Sequence, residues 1–502
     1  MSDQREAIRS NAKYLRNVRP IDPDEICAYV AGNPHPAVVR QQLREDAVDL
    51  GLLERDDGTF VPVDDDPVSP RPGPVERLPA AYESRLEDLL VDRYGVDWHA
   101  DATGELLRST IRRFKERYLD QRHVDYDEDV AAGYAIYHLP TYYAAVQYAL
   151  DDLAEQDLLG KTVRVLDIGA GVGGPALGLC EYLPDDALVD YHAIEPSAAA
   201  DILEGLFAET RRNVHTTVHR TTAEAFDPAA VSDGDGGADG FEPTTPDDGF
   251  DLVLACNVLS ELDDPEAITE RYLDLLAPDG TLLAMAPADK NTAIGLREVE
   301  RTVERRAIGD GASDDTPDDA GRRVTVYGPT VRLWAGKTPT DRGWSFDVRP
   351  DLAVPSFQRR LDEAAPEHDE AHAPGEFINV DVQFAYSQLR LDGRQRIDLD
   401  LDHEEWAMMA EMERHVTNRI DLAAAKLSHS LSEGNPLYKI SDGSESIDHY
   451  AVLTNETAFN RALDEAEYGN LLAFENVLAL WNDDEEAYNL VVDEETIVDR
   501  IG

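Results

Sequence analysis

The residues best suited to chemistry lie in one stretch. Val163–Ile168 (VRVLDI) runs directly into Gly169-Ala170-Gly171-Val172-Gly173-Gly174, followed by Pro175. A β-branched apolar run ahead of clustered glycines predicts a buried strand, a tight turn and a helix over Pro175–Glu181. Glycines there let the chain turn sharply and let a ligand approach the backbone with no Cβ in the way. The same turn suits the pyrophosphate of a dinucleotide such as NAD, so alone it does not fix the ligand. Three acids narrow the choice. Asp167 ends the strand just before the glycines, where a carboxylate can accept from an ammonium group but offers nothing to a pyrophosphate. Glu195 ends a second strand, Tyr191–Ile194, and is suitably placed to accept from ribose hydroxyls. Glu224, in TTAEAFD after a third strand, is placed to accept from an adenine amino group. Ammonium, ribose and adenine together describe S-adenosylmethionine, with Gly169, Ala170, Gly171 and Gly173 shaping its pocket.

These residues need a sheet to hold them. Phe250–Ala255 (FDLVLA) and Thr281–Ala286 (TLLAMA) read as fourth and fifth strands, separated by a helix and a Pro-Asp-Gly turn, and Val380–Leu391 completes the sheet. From Thr162 to about Ala286 this order resembles the class I, Rossmann-like α/β fold of S-adenosylmethionine-dependent methyltransferases. Asn257, directly after the fourth strand, joins the donor-binding set.

A narrower resemblance lies on both sides of that core. Tyr134-Ala-Ile-Tyr-His-Leu139-Pro140-Thr-Tyr-Tyr143-Ala144-Ala145-Val146, followed by VLDIGAG, resembles the entry segment of the mitochondrial small-ribosomal-subunit methyltransferase-like family. Asn257-Val258-Leu259-Ser260-Glu261-Leu262 is similar to that family's most recognisable segment. The likeness covers roughly residues 80–390. It implies association with the small ribosomal subunit or its assembly intermediate, on a methyltransferase fold whose catalytic activity stays open. Two features depart from the family. Its arginine before the Leu-Pro pair is His138 here. Its downstream cysteine cluster has no counterpart in Tyr327–Pro350, and Cys27, Cys180 and Cys256 lie in different elements, so no iron–sulfur cluster and no metal site are expected. Trp334, Trp344 and Phe346 are expected to pack that region instead.

No acceptor-site motif is legible. The (Asn/Asp)-Pro-Pro-(Tyr/Phe) pattern of base-nitrogen methylation is replaced by Asn257-Val258-Leu259-Ser260. Cys256 lacks the Pro-Cys context of a cytosine-C5 nucleophile and reads as a buried thiol. His138 and Tyr143 border the donor pocket, as substrate-orienting or as packing residues. The catalytic residues therefore remain unassigned.

The flanks suggest macromolecular work. Residues 1–65 read as helix, helix, helix and hairpin, a winged-helix pattern, with Arg40, Gln41 and Arg44 on the outer face of the third helix. A solvated face on a protein-docking module is the equal alternative. A Pro/Asp linker, Pro62–Val75, follows. Residues 78–150 form a helical lead-in, with helix expected over Ala80–Tyr118. Its Gly104–His123 stretch holds six basic residues against three acids, and Arg108, Arg112, Arg113 and Arg117 there are candidates for phosphate contact, intramolecular pairing being the alternative. The methyltransferase domain with its insertions spans 151–395. Ser232–Gly249, Gly309–Gly321 and Glu363–Gly375 read as solvated loops. After an expected helix over Leu401–Arg414, residues 410–502 read as a five-stranded OB fold. There Tyr438, Lys439, Tyr450 and Phe474 are candidates for nucleic-acid binding, with His449 and Lys426 nearby.

Composition sets the setting. The chain has 502 residues and a formal net charge of −56, from 102 Asp+Glu against 46 Lys+Arg. Only 7 of the basic residues are lysine. An acidic, lysine-poor surface is the composition of proteins adapted to molar salt, as in halophilic archaea, and under such screening it does not exclude a nucleic-acid partner. No apolar run is long enough to span a membrane, and the opening MSDQREAIRSNAKYLRN has no signal core, so a cytoplasmic protein is expected. Three functions follow in order: a methyltransferase bound to small-subunit RNA, a non-catalytic assembly factor on the same fold, and a DNA-directed methyltransferase or regulator.

Overall fold

The computed structural model describes residues 2–119, 124–228, 249–308, 324–366, 369, 372–399 and 401–501. The chain divides into two compact units, Met1–Phe226 with Leu352–Val380, and Asp227–Asp351 with Asp381–Gly502.

The first unit opens on α1 (Ser2–Leu15), α2 (Pro23–Tyr29), α3 (Pro36–Glu45), α4 (Ala47–Leu50) and the hairpin β1 (Leu52–Glu54) with β2 (Phe60–Pro62). Prolines start α2 and α3, where a missing N–H costs nothing, and Asp22 and His35 cap them by accepting from Asp24 and Ala37. Ile8, Ile26, Val39, Leu43 and Phe60 share one core. The third helix expected in the head is two helices, α3 and α4, and Gly51 at φ 58° ends the second. The hairpin does not stand apart: Leu53 packs with Leu188, and the Glu54 N–H donates to Asn213 Oδ1 at 2.9 Å. Nor is Pro62–Val75 a free linker. The Val68 N–H donates to the Leu159 carbonyl, and Arg71 pairs with Asp151 at 2.5 Å.

Next come α5 (Ala80–Tyr94), α6 (Asp101–Leu119) and α7 (Glu128–Ala154). The single helix expected over 80–118 breaks after Tyr94, because Gly95 takes φ 89°. Pro140 sits inside α7, so the Ile136 carbonyl has no N–H to accept from. Gln358, buried on the helix Ser356–Glu363, supplies one: its Nε2 donates to Ile136 O at 2.8 Å. Asn379 Nδ2 likewise donates to the Tyr137 carbonyl at 3.0 Å. Then β3 (Thr162–Ile168), α8 (Gly174–Tyr182), β4 (Leu188–Ile194), α9 (Ala199–Phe207) and β5 (Val214–His219) alternate. β3 pairs parallel with β4, and β4 with β5, with Asp167 opposite Ala193.

In the second unit, β6 (Phe250–Cys256), α10 (Pro265–Leu273), β7 (Leu276–Pro287) and α11 (Lys290–Ile308) precede β8 (Thr325–Gly328), β9 (Asp347–Arg349) and β10 (Val382–Arg390). β6 and β7 are parallel, while β10 runs antiparallel to β7, with Tyr386 opposite Met285, and also pairs with β8 and β9. A parallel β5-β4-β3 set, a parallel β6-β7 pair and a final antiparallel strand are the components of the class I methyltransferase sheet.

The tail forms a separate sheet of β11 (Arg419–Lys426), β12 (Leu437–Ser441), β13 (His449–Leu453), β14 (Leu471–Asn482), β15 (Ala487–Val492) and β16 (Ile497–Arg500), in the order β11-β12-β13-β15-β14-β16. The β11–β14 pairing closes five strands into an OB-like barrel around Leu422, Ile440, Phe474, Val477 and Leu490. No α-helix forms over Leu401–Arg414; only a 3₁₀ segment, Met409–His415, is present. Its leading N–H groups are taken by loop side chains, Met409 by Asp442 and Ala410 by Ser444. The loop reading of Gly309–Gly321, and of Ser232–Gly249 up to residue 248, lies outside the described residues.

Candidate functional site

β3 ends in the glycine turn, whose φ angles of 64° at Gly169, 55° at Gly171 and 91° at Gly173 are left-handed conformations that glycine alone adopts without strain. Two of these glycines differ in purpose. A Cβ on Gly173 would lie 2.5 Å from Leu203 Cδ1, so that position serves packing against α9. A Cβ on Gly171 would meet nothing nearer than 3.9 Å, so that position leaves room beside the backbone. Gly178 on α8 brings that helix against α7, where a Cβ would lie 2.3 Å from the Tyr143 carbonyl.

Glu195 ties this turn to the next. Its Oε2 accepts from the Gly171 N–H at 2.8 Å and its Oε1 from the Ser197 N–H at 2.9 Å. Each carboxylate oxygen can accept again, so the bridge leaves capacity for ribose hydroxyls.

Asp167 is buried, and Tyr191 donates its hydroxyl to Oδ2 at 2.7 Å. Oδ1 has no hydrogen-bond partner among the described residues. Burial pushes the carboxyl up to about 7; Tyr191 pulls it down, and the Glu195 carboxylate adds to the rise. A buried, unsatisfied carboxylate oxygen beside an open glycine turn matches a ligand carrying an ammonium group, so the residues present fit S-adenosylmethionine. Tyr191 was not legible as a site residue, because only the β3–β4 register brings it to Asp167, and Ser197 was not, because it contributes a backbone N–H that no side-chain pattern marks. Of the remaining donor candidates, Ala170 is buried in the turn and Glu224 is exposed after β5. Asn257 follows β6 with φ 61°, its N–H donating to Met285 O at 2.9 Å.

Most of the nucleic-acid candidates are engaged internally. Arg108 is buried and donates to the His99 and Leu361 carbonyls. Arg112 grips Glu376 through two 2.6 Å bonds and pairs with Asp369. These two are structural cations, whereas Arg113 and Arg117 are exposed. In the barrel, Tyr438 and Phe474 lie in the core, with the Tyr438 hydroxyl donating to Asp464. Lys439 is buried between Asp341 at 2.5 Å and Asp448 at 2.8 Å. None of these three can stack or contact a backbone phosphate as placed. Inward-facing positions of a small barrel fill its core, which takes Tyr438 and Phe474, whereas Lys439, between the core residues Tyr438 and Ile440, faces the other way and is covered by Asp341 and Asp448. His449 and Lys426 are buried too, and Tyr450 keeps partial exposure. In the head, Arg44 is bound to Glu54 and Gln41 to Glu45. Tyr143 is a packing residue, buried edge-on against Tyr82. Cys256 is buried. Among the described residues no group of three or more His, Cys, Asp or Glu could hold a metal ion, and no helix is long and apolar enough to cross a membrane.

Comparison with known proteins gives the class. Residues 166–282 match the family described as a methyltransferase domain. Residues 5–56 and 410–501 match the N-terminal and C-terminal domains of a domain of unknown function, DUF8157. A curated relative, the highly reducing polyketide synthase 40 of Fusarium pseudograminearum, is 29% identical over 132 residues, 26% of this chain and 5% of the synthase. The chain therefore spans a small part of that relative's length. Similar solved structures include an S-adenosylmethionine-dependent methyltransferase from Clostridium acetobutylicum (12% identity, 36% of this chain and 57% of that one, TM-score 0.23). An O-methyltransferase family protein from Burkholderia thailandensis shares 12% identity over 57% and 75% of the two chains, with TM-score 0.24. The arsenic(III) S-adenosylmethionine methyltransferase of Chlamydomonas reinhardtii shares 14% over 48% and 66%, with TM-score 0.23. The strands and the matched domain define a class I methyltransferase fold, and the residues around its glycine turn fit S-adenosylmethionine.

Proposed function

We propose that this chain is an S-adenosylmethionine-dependent methyltransferase acting on small-subunit ribosomal RNA during subunit maturation, in a cytoplasm of high salt. The observation that carries the donor half is the buried Asp167 Oδ1, which has no hydrogen-bond partner among the described residues, beside the Glu195–Gly171 bridge. Asp167 would hold the donor's ammonium group and Glu195 its ribose hydroxyls, while the open side of Gly171 admits it. Bound there, the donor supplies an electrophilic methyl group on a sulfonium. The protein contributes chiefly position, holding donor and acceptor in line and excluding water.

The RNA half is supported by the sequence resemblance around Tyr134–Val146 and Asn257–Leu262, and by the presence of an OB-like barrel in the same chain. The net charge of −56 supports the high-salt setting. A second reading, an assembly factor that binds donor without using it, is favoured by the missing proline motif after β6. The deciding experiment incubates labelled S-adenosylmethionine with immature small subunits from cells lacking the protein, in molar KCl, with Glu195→Ala as control. Label entering the RNA with the parent alone supports the enzyme. Donor binding and subunit association without label transfer support the assembly factor. Label entering DNA instead would overturn both.

A further inference from the structure

Helix α7 is buried along nearly its whole length, yet between Val130 and Leu150 four positions keep partial exposure: Tyr134, Tyr137, His138 and Tyr142. All four are aromatic. Tyr134, His138 and Tyr142 stand at i, i+4 and i+8, so they form one line along a single helix face. Their rings are contiguous. Tyr134 and His138 have centroids 4.7 Å apart, and His138 and Tyr142 lie 5.0 Å apart and nearly parallel, at 10°. Buried Phe114 backs His138 at 5.8 Å, and Tyr137 meets it edge-on at 5.0 Å.

The line lies against both donor turns. At one end a Cβ on Gly174, the first residue of α8, would sit 2.9 Å from Tyr142 Cβ. At the other end Tyr126 packs edge-on to Tyr134 at 5.5 Å, and the Tyr126 carbonyl accepts from the Ala198 N–H at 3.3 Å. Ala198 adjoins Ser197, whose N–H is held by Glu195. Rings serving only as core would be covered, as Phe114 and Tyr143 are.

The chemistry of the line is flat and weakly charged. Packing among these rings, which leaves His138 only partly exposed, and the nearby Lys115 ammonium both lower its imidazole, so the ring is neutral. Lys115 Nζ is itself turned to the Tyr137 hydroxyl at 2.8 Å. Such a surface presents partly exposed aromatic rings and not a phosphate cradle, which suits a chain of net charge −56 in which Arg108 and Arg112 are already committed. Stacking is also the interaction that molar salt leaves intact.

Resting on the methyltransferase reading above, we propose that Tyr134, His138 and Tyr142 form the acceptor platform, stacking a nucleobase of single-stranded RNA beside the donor turns. The stripe positions the ring and forms no bond in the transfer.

The test uses the full chain and a short single-stranded RNA containing 2-aminopurine, whose fluorescence is quenched on stacking, titrated in molar KCl. The parent should bind and quench. His138→Ala and Tyr134→Ala should each weaken binding by roughly tenfold or more, as base–aromatic stacking does elsewhere. His138→Phe, which keeps a flat ring, should retain it. Thermal midpoints and S-adenosylmethionine affinity, read on the same samples, show that the variants are folded. Unchanged RNA affinity in both alanine variants would overturn the platform, as would absence of quenching by the parent. A steep fall of affinity with salt, the mark of phosphate contacts, would overturn it too. Loss of donor binding in the parent would instead remove the methyltransferase reading, while the RNA titration still reports on the stripe.

Discussion

The carboxylate of Glu195 accepts a hydrogen bond from the backbone N–H of Gly171 at 2.8 Å, fastening the turn after β4 to the turn after β3. Its other oxygen holds Ser197. The acid read from the sequence as a ribose acceptor is therefore also the brace of the glycine turn. Glu195→Ala should lower folding stability by about 1.5–3 kcal/mol, the usual worth of hydrogen bonds to a charged acceptor. Chemical denaturation in molar KCl measures it, and an unchanged midpoint would mean that the brace does not form.

Asp167 should make donor binding depend on pH. Its carboxyl is raised to about 7 by burial, so below that pH the neutral form predominates in the folded, ligand-free protein. A group raised in this way stabilises the fold below the ordinary carboxylate range, and that contribution is lost as pH rises towards 7. A bound ammonium group needs the ionised form, so donor affinity should fall as pH drops through 7, by about tenfold between pH 8 and pH 6. Asp167→Asn should flatten that profile and stabilise the ligand-free protein at pH 8 by about 2–4 kcal/mol. Titrations and unfolding curves at both pH values check the two effects separately.

Gln358 stands in for the N–H that Pro140 lacks, donating to Ile136 O at 2.8 Å. Gln358→Leu should cost about 1–3 kcal/mol, because a buried carbonyl loses its partner. Pro140→Ala restores an N–H within the helix, so the same change in that background should cost less. A double-mutant cycle by denaturation reads the coupling, and strictly additive costs would refute the compensation.

Lys439 should matter to stability before it matters to any ligand. It lies buried between Asp341 and Asp448, whose carboxylates hold its ammonium charged and raise it well above the ordinary lysine range. Lys439→Met should destabilise by about 3–5 kcal/mol, as breaking one side of a buried pair does. A variant with unchanged unfolding but weaker RNA binding would show that this lysine faces solvent.

What the sequence made legible was local and periodic. VRVLDI followed by glycines gave the strand, turn and helix within one or two residues, and Asp167 and Glu195 came with it, because strand ends place residues by register alone. The barrel strands were legible from alternation and turn residues. Partners distant in the chain were not. Counting charges along Gly104–His123 could not reveal that Arg112 is answered by Glu376, 264 residues on. Nor could strand alternation say which of Tyr438, Lys439 and Phe474 point inward. The expected helix over Leu401–Arg414 failed for a related reason: Asp442 and Ser444 claim the N–H groups at its centre.

The central claim is that Asp167, Gly171 and Glu195 form a donor site, and calorimetric titration with S-adenosylmethionine in molar KCl tests it most directly. The parent should show one saturable site per chain, with affinity reduced by at least tenfold in Glu195→Ala. No binding by the folded parent, or equal binding by parent and variant, would contradict it.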